Sequence, residues 1–287
     1  MCLPVDDVPF ADKQQLNQFL LRSGASIDEI NTVRKQLSLV KGGRLAEAAK
    51  SKHVTLMISD VVGDNAADIA SGPTIADPST KAQALAILQK YHWSPVGSIA
   101  NYLAKPEASP GHKVASEYHI VANAQHAIDA AIDVAQKQGW QTQVLGYDIQ
   151  GEAREVAKIH AKHALACKAK GQRVMLFSGG ELTVTVGKEY GDGGPNQEYL
   201  MALALELDGV EGICAMACDT DGVDGSKDVA GAYIDQTTLT RAASAGVSAS
   251  ELLATHNSHQ FFAAINDLVV TGPTNTNVND FRAIIIE

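Results

Sequence analysis

At 287 residues the chain has room for two domains of ordinary size. Hydrophobic residues make up 45% and charged residues 20%, a soluble globular balance that excludes global disorder or a coiled coil. Asp and Glu outnumber Lys and Arg by 33 to 23, a formal net charge of −10, which argues against a nucleic-acid or membrane-surface binder because both need a basic face.

Apolar spacing over Leu16, Phe19 and Leu20 predicts a helix across residues 11–21. Ser26 with Glu29 three residues on is a capping-box spacing, opening a helix that carries Ile27, Ile30, Val33 and Leu37. Lys41-Gly-Gly-Arg44 breaks the chain before a short helix over 45–51. The near-continuous apolar run from His53 to Ser59 predicts a strand buried on both faces of a parallel sheet. Asp77 to Thr80 caps a helix reaching Tyr91, and residues 105–112, with two prolines and a glycine, read as a linker.

Beyond the linker, strands and helices alternate. Strands are predicted over 118–122, 143–146, 173–177, 182–186, 212–217, 268–270 and 282–286. Helices are predicted over 124–138, 151–170, 196–207, 236–245, 249–254 and 259–265. This rhythm predicts an α/β fold of two lobes, residues 1–112 and 117–287, with mostly parallel sheets and flanking helices. The four cysteines are too scattered for a disulfide scaffold, no apolar run is long enough to span a bilayer, and the N-terminus lacks signal-peptide features. A cytoplasmic protein is expected.

Ligands of open α/β sheets bind beyond the carboxyl ends of strands, so the loops there are the places to look. Ser178-Gly179-Gly180-Glu181 suits a backbone anion nest or an ordinary tight turn. Gly191-Asp-Gly193-Gly194-Pro195 feeds a helix opening at Asn196, in principle a phosphate cradle, though it is no Walker A loop. Asp219, Asp221 and Asp224 cluster at one strand end. Such carboxylates bind a cation, include one poised base, or simply form turns. No GxGxxG follows a predicted strand.

Taken together these loops resemble one family, the glycerate 2-kinases with a C-terminal MOFRL domain. The carrying segments are Ile30-Asn-Thr-Val-Arg-Lys-Gln-Leu-Ser38, Lys41-Gly-Gly-Arg-Leu45, Ile58-Ser-Asp-Val-Val-Gly-Asp64 and Ala70-Ser-Gly-Pro-Thr74. They continue with Ser178 to Glu181, Gly193-Gly-Pro-Asn-Gln-Glu198, Asp219 to Gly225 and Thr271 to Asp280.

The resemblance implies a transferase that phosphorylates the 2-hydroxyl of D-glycerate with ATP and Mg²⁺. It places the MOFRL domain at about 172–287 and makes the first lobe an incomplete Rossmann-like unit, because relatives carry a long preceding part with a lysine that no residue here matches. From its strand-end position and the family match, Asp221 is the first candidate for catalysis, ahead of Asp219, with Glu181 also expected there, and metal binding is expected at Asp219 and Asp60. Substrate and phosphate binding fall to Arg34, Arg44, Ser71, Thr74, Gly179, Gly180, Gly193, Gly194, Asn196 and Asn277. Many relatives have Arg at the position of Pro195, so a cation from elsewhere, with Arg34, Lys41 or Arg44 as candidates, is expected to replace it. The alternatives are a hydroxypyruvate reductase using NAD(P)H, a name long attached to the family, and a remnant that binds ligand without turnover. An incomplete first lobe also predicts self-association, as a homo-oligomer.

Overall fold

The computed structural model describes residues 3–94, 97–106 and 117–287. They fall into two compact units, one made of Met1–Met57 with Asp64–Val121, the other of Ile58–Gly63 with Ala122–Glu287. Most of the predicted linker at 105–112 lies outside the described residues.

The first unit is mainly helical. Helix α1 spans Phe10–Arg22 and α2 Ile27–Gln36. The capping box at Ser26 and Glu29 forms as its spacing requires, closing two backbone donors that would otherwise be orphaned. Short α3 follows at Arg44–Ala48, then α4 at Lys81–Lys90, capped by Thr80 and Gln83 in the same way, and α5 at Gly97–Ala104. Their apolar faces meet in one core of Leu16, Leu20, Val33, Leu88, Ile99 and Leu103. Phe19 meets Trp93 edge to face, with centroids 5.4 Å apart.

Strand β1, Val54–Ile58, pairs with β2, Glu117–Ala122, in a two-stranded sheet. The expectation that this strand is buried on both faces fails. Val54, Leu56 and Ile58 lie on one side, with 56%, 68% and 47% of their surface exposed. An uncovered apolar row of this kind favours association. Sedimentation velocity should show species larger than a monomer as concentration rises; a single monomer boundary throughout would contradict it.

The second unit holds a six-stranded sheet flanked by helices. Its strands are β3 Gln141–Glu152, β4 Val174–Thr183, β5 Ile213–Asp219, β6 Gly231–Ile234, β7 Leu268–Val269 and β8 Asp280–Ile286. Their order is β3-β4-β8-β5-β6-β7. Here the α/β expectation holds and the parallel one needs correction. Only β3 and β4 pair in parallel; the pairs β4–β8, β8–β5, β5–β6 and β6–β7 are antiparallel. The βαβ alternation does make β3, β4 and β5 run the same way. Strand β8 then inserts between β4 and β5 in the opposite sense.

Helix α6, Ala124–Lys137, covers one face, packing its Ile128 and Ala135 over Phe177 and Ala283. Helices α7, Ala153–Ala169, and α8, Pro195–Leu207, cover the other over Leu176, Ala215 and Ile284. Short helices α9 Thr238–Ser244, α10 Ala249–Ala254 and α11 Ser258–Ile265 complete this side. Helix α8 is nearly all buried, which is why it is apolar on most sides from Tyr199 to Leu205, while Asn196, Gln197 and Glu198 in its first turn are buried polar groups.

Candidate functional site

The glycine loops do not do what their composition suggests. Ser178 to Glu181 is neither a nest nor a turn: β4 runs straight through it and absorbs the separate strand expected at 182–186. Gly180 has φ +102°, and a Cβ there would overlap the backbone of Ile149. It stands opposite an irregularity in β3, where the register steps from Gly146↔Ser178 to Ile149↔Gly180. Gly179 gives its carbonyl to Arg282 Nη2.

The opening of α8 is occupied in the same sense. The N–H of Asn196 donates to Asp224 Oδ1 at 3.0 Å and that of Gln197 to Asp224 Oδ2 at 2.9 Å. A buried carboxylate thus already fills the anion position of the helix N-terminus. A Cβ on Gly194 would overlap Asp224, and Gly193 is tied to Ser226 through both its N–H and its carbonyl. In this structure Gly193, Gly194 and Asn196 pack against Asp224 and Ser226. Gly194→Val should lower folding stability by at least about 2 kcal/mol, through overpacking against backbone that cannot yield. Denaturant unfolding measures it, and a variant of unchanged stability would contradict it.

Beneath α8 lies a buried polar centre. Asp280, the first residue of β8, accepts from Asn196 Nδ2 at 2.6 Å, Leu182 N at 3.2 Å and Arg282 Nη1 at 2.8 Å. Arg282 is 1% exposed and also donates to Ser178 Oγ and over the ring of Tyr199. Burial pushes the Asp224 carboxyl up to about 6 against the pull of the Asn196 and Gln197 donors. In the sequence Asp280 stands only as the end of the Thr271 segment, with no role of its own, and Arg282 is not among the candidate residues. The signal was a charged pair opening an otherwise apolar terminal strand, Asp-Phe-Arg-Ala-Ile-Ile-Ile.

Asp219 ends β5 directly opposite Asp280 in register. Its Oδ1 accepts from Asp221 N at 3.0 Å, and Asp221 Oδ1 accepts from Val223 N at 2.7 Å, two consecutive Asx-type turns. Burial, with repulsion from Asp221 and Asp280, pushes the Asp219 carboxyl up to about 7. Glu181 is exposed by surface area, yet the packing around its carboxyl raises its pKa, and Asp280 and Asp60 add to the rise. Asn277 Oδ1 accepts from Asn279 N at 2.8 Å, so Asn277 shapes the loop after β7, which is anchored by Thr274 on Thr220 O. Among the described residues no three His, Cys, Asp or Glu side chains assemble into a metal cage.

In the first unit, Arg34 Nε donates to Asn17 at 3.1 Å, and Arg44 closes the end of α2 on the carbonyls of Lys35 and Lys41. Both expected substrate arginines are holding helices. Thr74 Oγ1 accepts from Thr55 at 2.9 Å. A more unusual arrangement surrounds Ser71. Ala70, Ser71 and Gly72 have φ of +51°, +61° and +56°, a left-handed run that costs about 1–2 kcal/mol for each residue with a Cβ. Ser71 Oγ donates to Asn31 Oδ1 at 3.2 Å and accepts from Lys41 Nζ at 3.0 Å, while Lys35 and Asn31 reach Asp68 at 3.4 Å. Strain of this kind concentrates at functional sites.

Comparison with known proteins agrees with this picture. Residues 1–104 match a domain described as one of unknown function, DUF4147, and residues 174–280 match the MOFRL family. A D-glycerate 2-kinase of Thermotoga maritima is 38% identical over 97% of this chain and 67% of its own length. A glycerate 2-kinase of Pyrococcus horikoshii is 35% identical over 99% and 67%. A protein of Agrobacterium vitis with a provisional hydroxypyruvate reductase name is 47% identical over 99% and 66%. The crystal structure of the Thermotoga maritima glycerate kinase superposes with a TM-score of 0.92 at 38% identity, covering 99% of this chain and 69% of that one. The chain spans about two thirds of the length of these relatives. Identity of this degree, carried across both units and ending in the MOFRL segment, makes the chain a member of the glycerate 2-kinase family.

Proposed function

We propose that the protein transfers the γ-phosphoryl group of ATP to the 2-hydroxyl of D-glycerate. The observation that carries the reading is Asp219. It is a half-buried carboxyl at the end of a sheet strand, with its pKa moved up to about 7, where a general base works best at neutral pH. The hydroxyl oxygen forms a bond to the γ-phosphorus as the bond to ADP breaks, and Asp219 takes the hydroxyl proton. Asp221 orients Asp219 through its N–H. Asp280, held by Arg282, sits opposite in register and keeps the Asp219 proton affinity high.

The residues fit Mg²⁺ in its usual phosphate-bridged form, which asks for only one or two protein carboxylates. Asp60 would supply one, beside Glu181, whose carboxyl is raised first by burial and then by Asp280 and Asp60, and Asp219 is left free to take the proton. Bound Mg²⁺ would neutralise charge on the phosphate oxygens.

The test is incubation with ATP, Mg²⁺ and D-glycerate, with the product followed by ³¹P NMR. Appearance of 2-phosphoglycerate supports the reading. Its absence, with NAD(P)H oxidation by hydroxypyruvate in a parallel assay, would replace it with the reductase.

A further inference from the structure

A cavity of about 270 Å³ opens between the edge strand β3 and the first half of α7, inside the second unit. Ile149, Val156 and Ile159 contribute apolar walls, Gln143 and Gln150 stand at the rim, and His160 and His163 line it from the helix. None of these residues belongs to the carboxylate site.

His160 makes the cavity chemically specific. It is 3% exposed, and its Nδ1 lies 2.8 Å from the hydroxyl of Tyr199, which is wholly buried. Burial, reinforced by Arg282 and His163, takes the imidazole down to about 4, so it is neutral at physiological pH. Burial likewise keeps the Tyr199 phenol protonated. Among the described residues the Tyr199 hydroxyl has a hydrogen-bond partner only in His160, so it donates to Nδ1. The ring proton then sits on Nε2, the nitrogen on the far side of the ring. The cavity thus combines one fixed, uncharged N–H donor, two carboxamides able both to donate and to accept, and flat aliphatic walls.

That set suits a planar, neutral heterocycle with ring-nitrogen acceptors and an exocyclic amine. The lining has no carboxylate, ammonium or guanidinium, so a charged group would find no permanent counter-charge there. The volume suits a single ring system and not a whole nucleotide. Gln150 is paired in register with Glu181, so the rim of the cavity stands one strand from the candidate site. We infer that this cavity takes the purine base of the nucleotide donor, with His160 Nε2–H and the carboxamide of Gln150 reading its edge. The assignment of that base to a phosphoryl donor rests on the kinase reading above; the binding of a purine here does not.

The experiment uses the whole chain with adenosine as the probe. The ring-nitrogen NMR signals of His160 should report the Nε2–H tautomer and shift on adenosine addition. Ile159→Trp, which fills the mouth from an exposed position, and Gln150→Ala should each weaken adenosine binding at least tenfold by calorimetry. In the kinase assay both should raise KM for ATP at least tenfold and leave KM for D-glycerate and the unfolding midpoint unchanged. Purine binding that these variants abolish, in a chain without kinase activity, would uphold the cavity and overturn only the kinase reading. An active kinase whose ATP KM is untouched in both variants would overturn the cavity assignment alone. Absence of any His160 response at millimolar adenosine would also overturn it.

Discussion

Asp219→Asn should lower kcat for D-glycerate phosphorylation by about 10²-fold or more, the usual contribution of a positioned base. The pH profile gives the sharper readout. With its carboxyl near 7, Asp219 is protonated and idle below that pH, so kcat/KM of the native enzyme should rise through neutrality. The asparagine variant should lose that rising limb. Stability should move the other way. The folded-state pKa lies above the unfolded value of 3.8, so the folded protein binds the proton more tightly. The stability contributed by this group therefore falls as pH rises from about 4 to about 7. Asparagine removes that loss, and the variant should be no less stable than the native chain at pH 8. A variant that keeps most of its activity, or that loses activity only by unfolding, would return Asp219 to the role of a turn former.

Arg282→Met should cost about 3–5 kcal/mol of folding stability, the expected penalty when one member of a buried ion pair is removed. Arg282 is 1% exposed and Asp280 6%, and the guanidinium also holds Ser178 and the Gly179 carbonyl. Without it, Asp280 is left as an unpaired buried carboxylate. Adding Asp280→Asn should recover part of the loss, because the stranded charge goes with it. Urea unfolding of the two single variants and the double variant measures the coupling. A loss below about 1 kcal/mol for Arg282→Met, or strict additivity in the cycle, would show that the pair does not anchor the sheet.

Much of the local structure could be read directly from the residues. Ser26 with Glu29 specifies its own cap, and Pro195 in the first turn of α8 marks a helix start. Both are short-range rules, satisfied within a single turn. What the residues leave open is long-range. At Gly180 and Gly194 a glycine that lets a phosphate approach and one that lets another segment approach look identical in sequence. What decides between them is Ile149 or Asp224, dozens of residues away. Strand β6 and helix α5 are not among the predicted elements. Arg282 was visible but unread, since a lone cation in an apolar strand has meaning only once its buried partner is known. The Asp219 loop could be found in the sequence, yet its proton affinity comes first from burial, with Asp221 and then Asp280 across the sheet adding to it, and burial is set by the whole fold.

The placement of β8 also bears on how the protein is made. Residues 280–286 form an interior strand, flanked by β4 and β5. On the ribosome, β3, α7, β4, α8 and β5 emerge in order, but β4 and β5 have no partner to hold them side by side until synthesis passes Ile286. The second unit must therefore wait, half-assembled, through roughly a hundred residues of elongation before its sheet can close, at the slow rate expected when distant segments must meet. Nascent chains stalled before residue 280 should remain sensitive to protease across β4 and β5, and that sensitivity should vanish abruptly once the last strand is free of the exit tunnel.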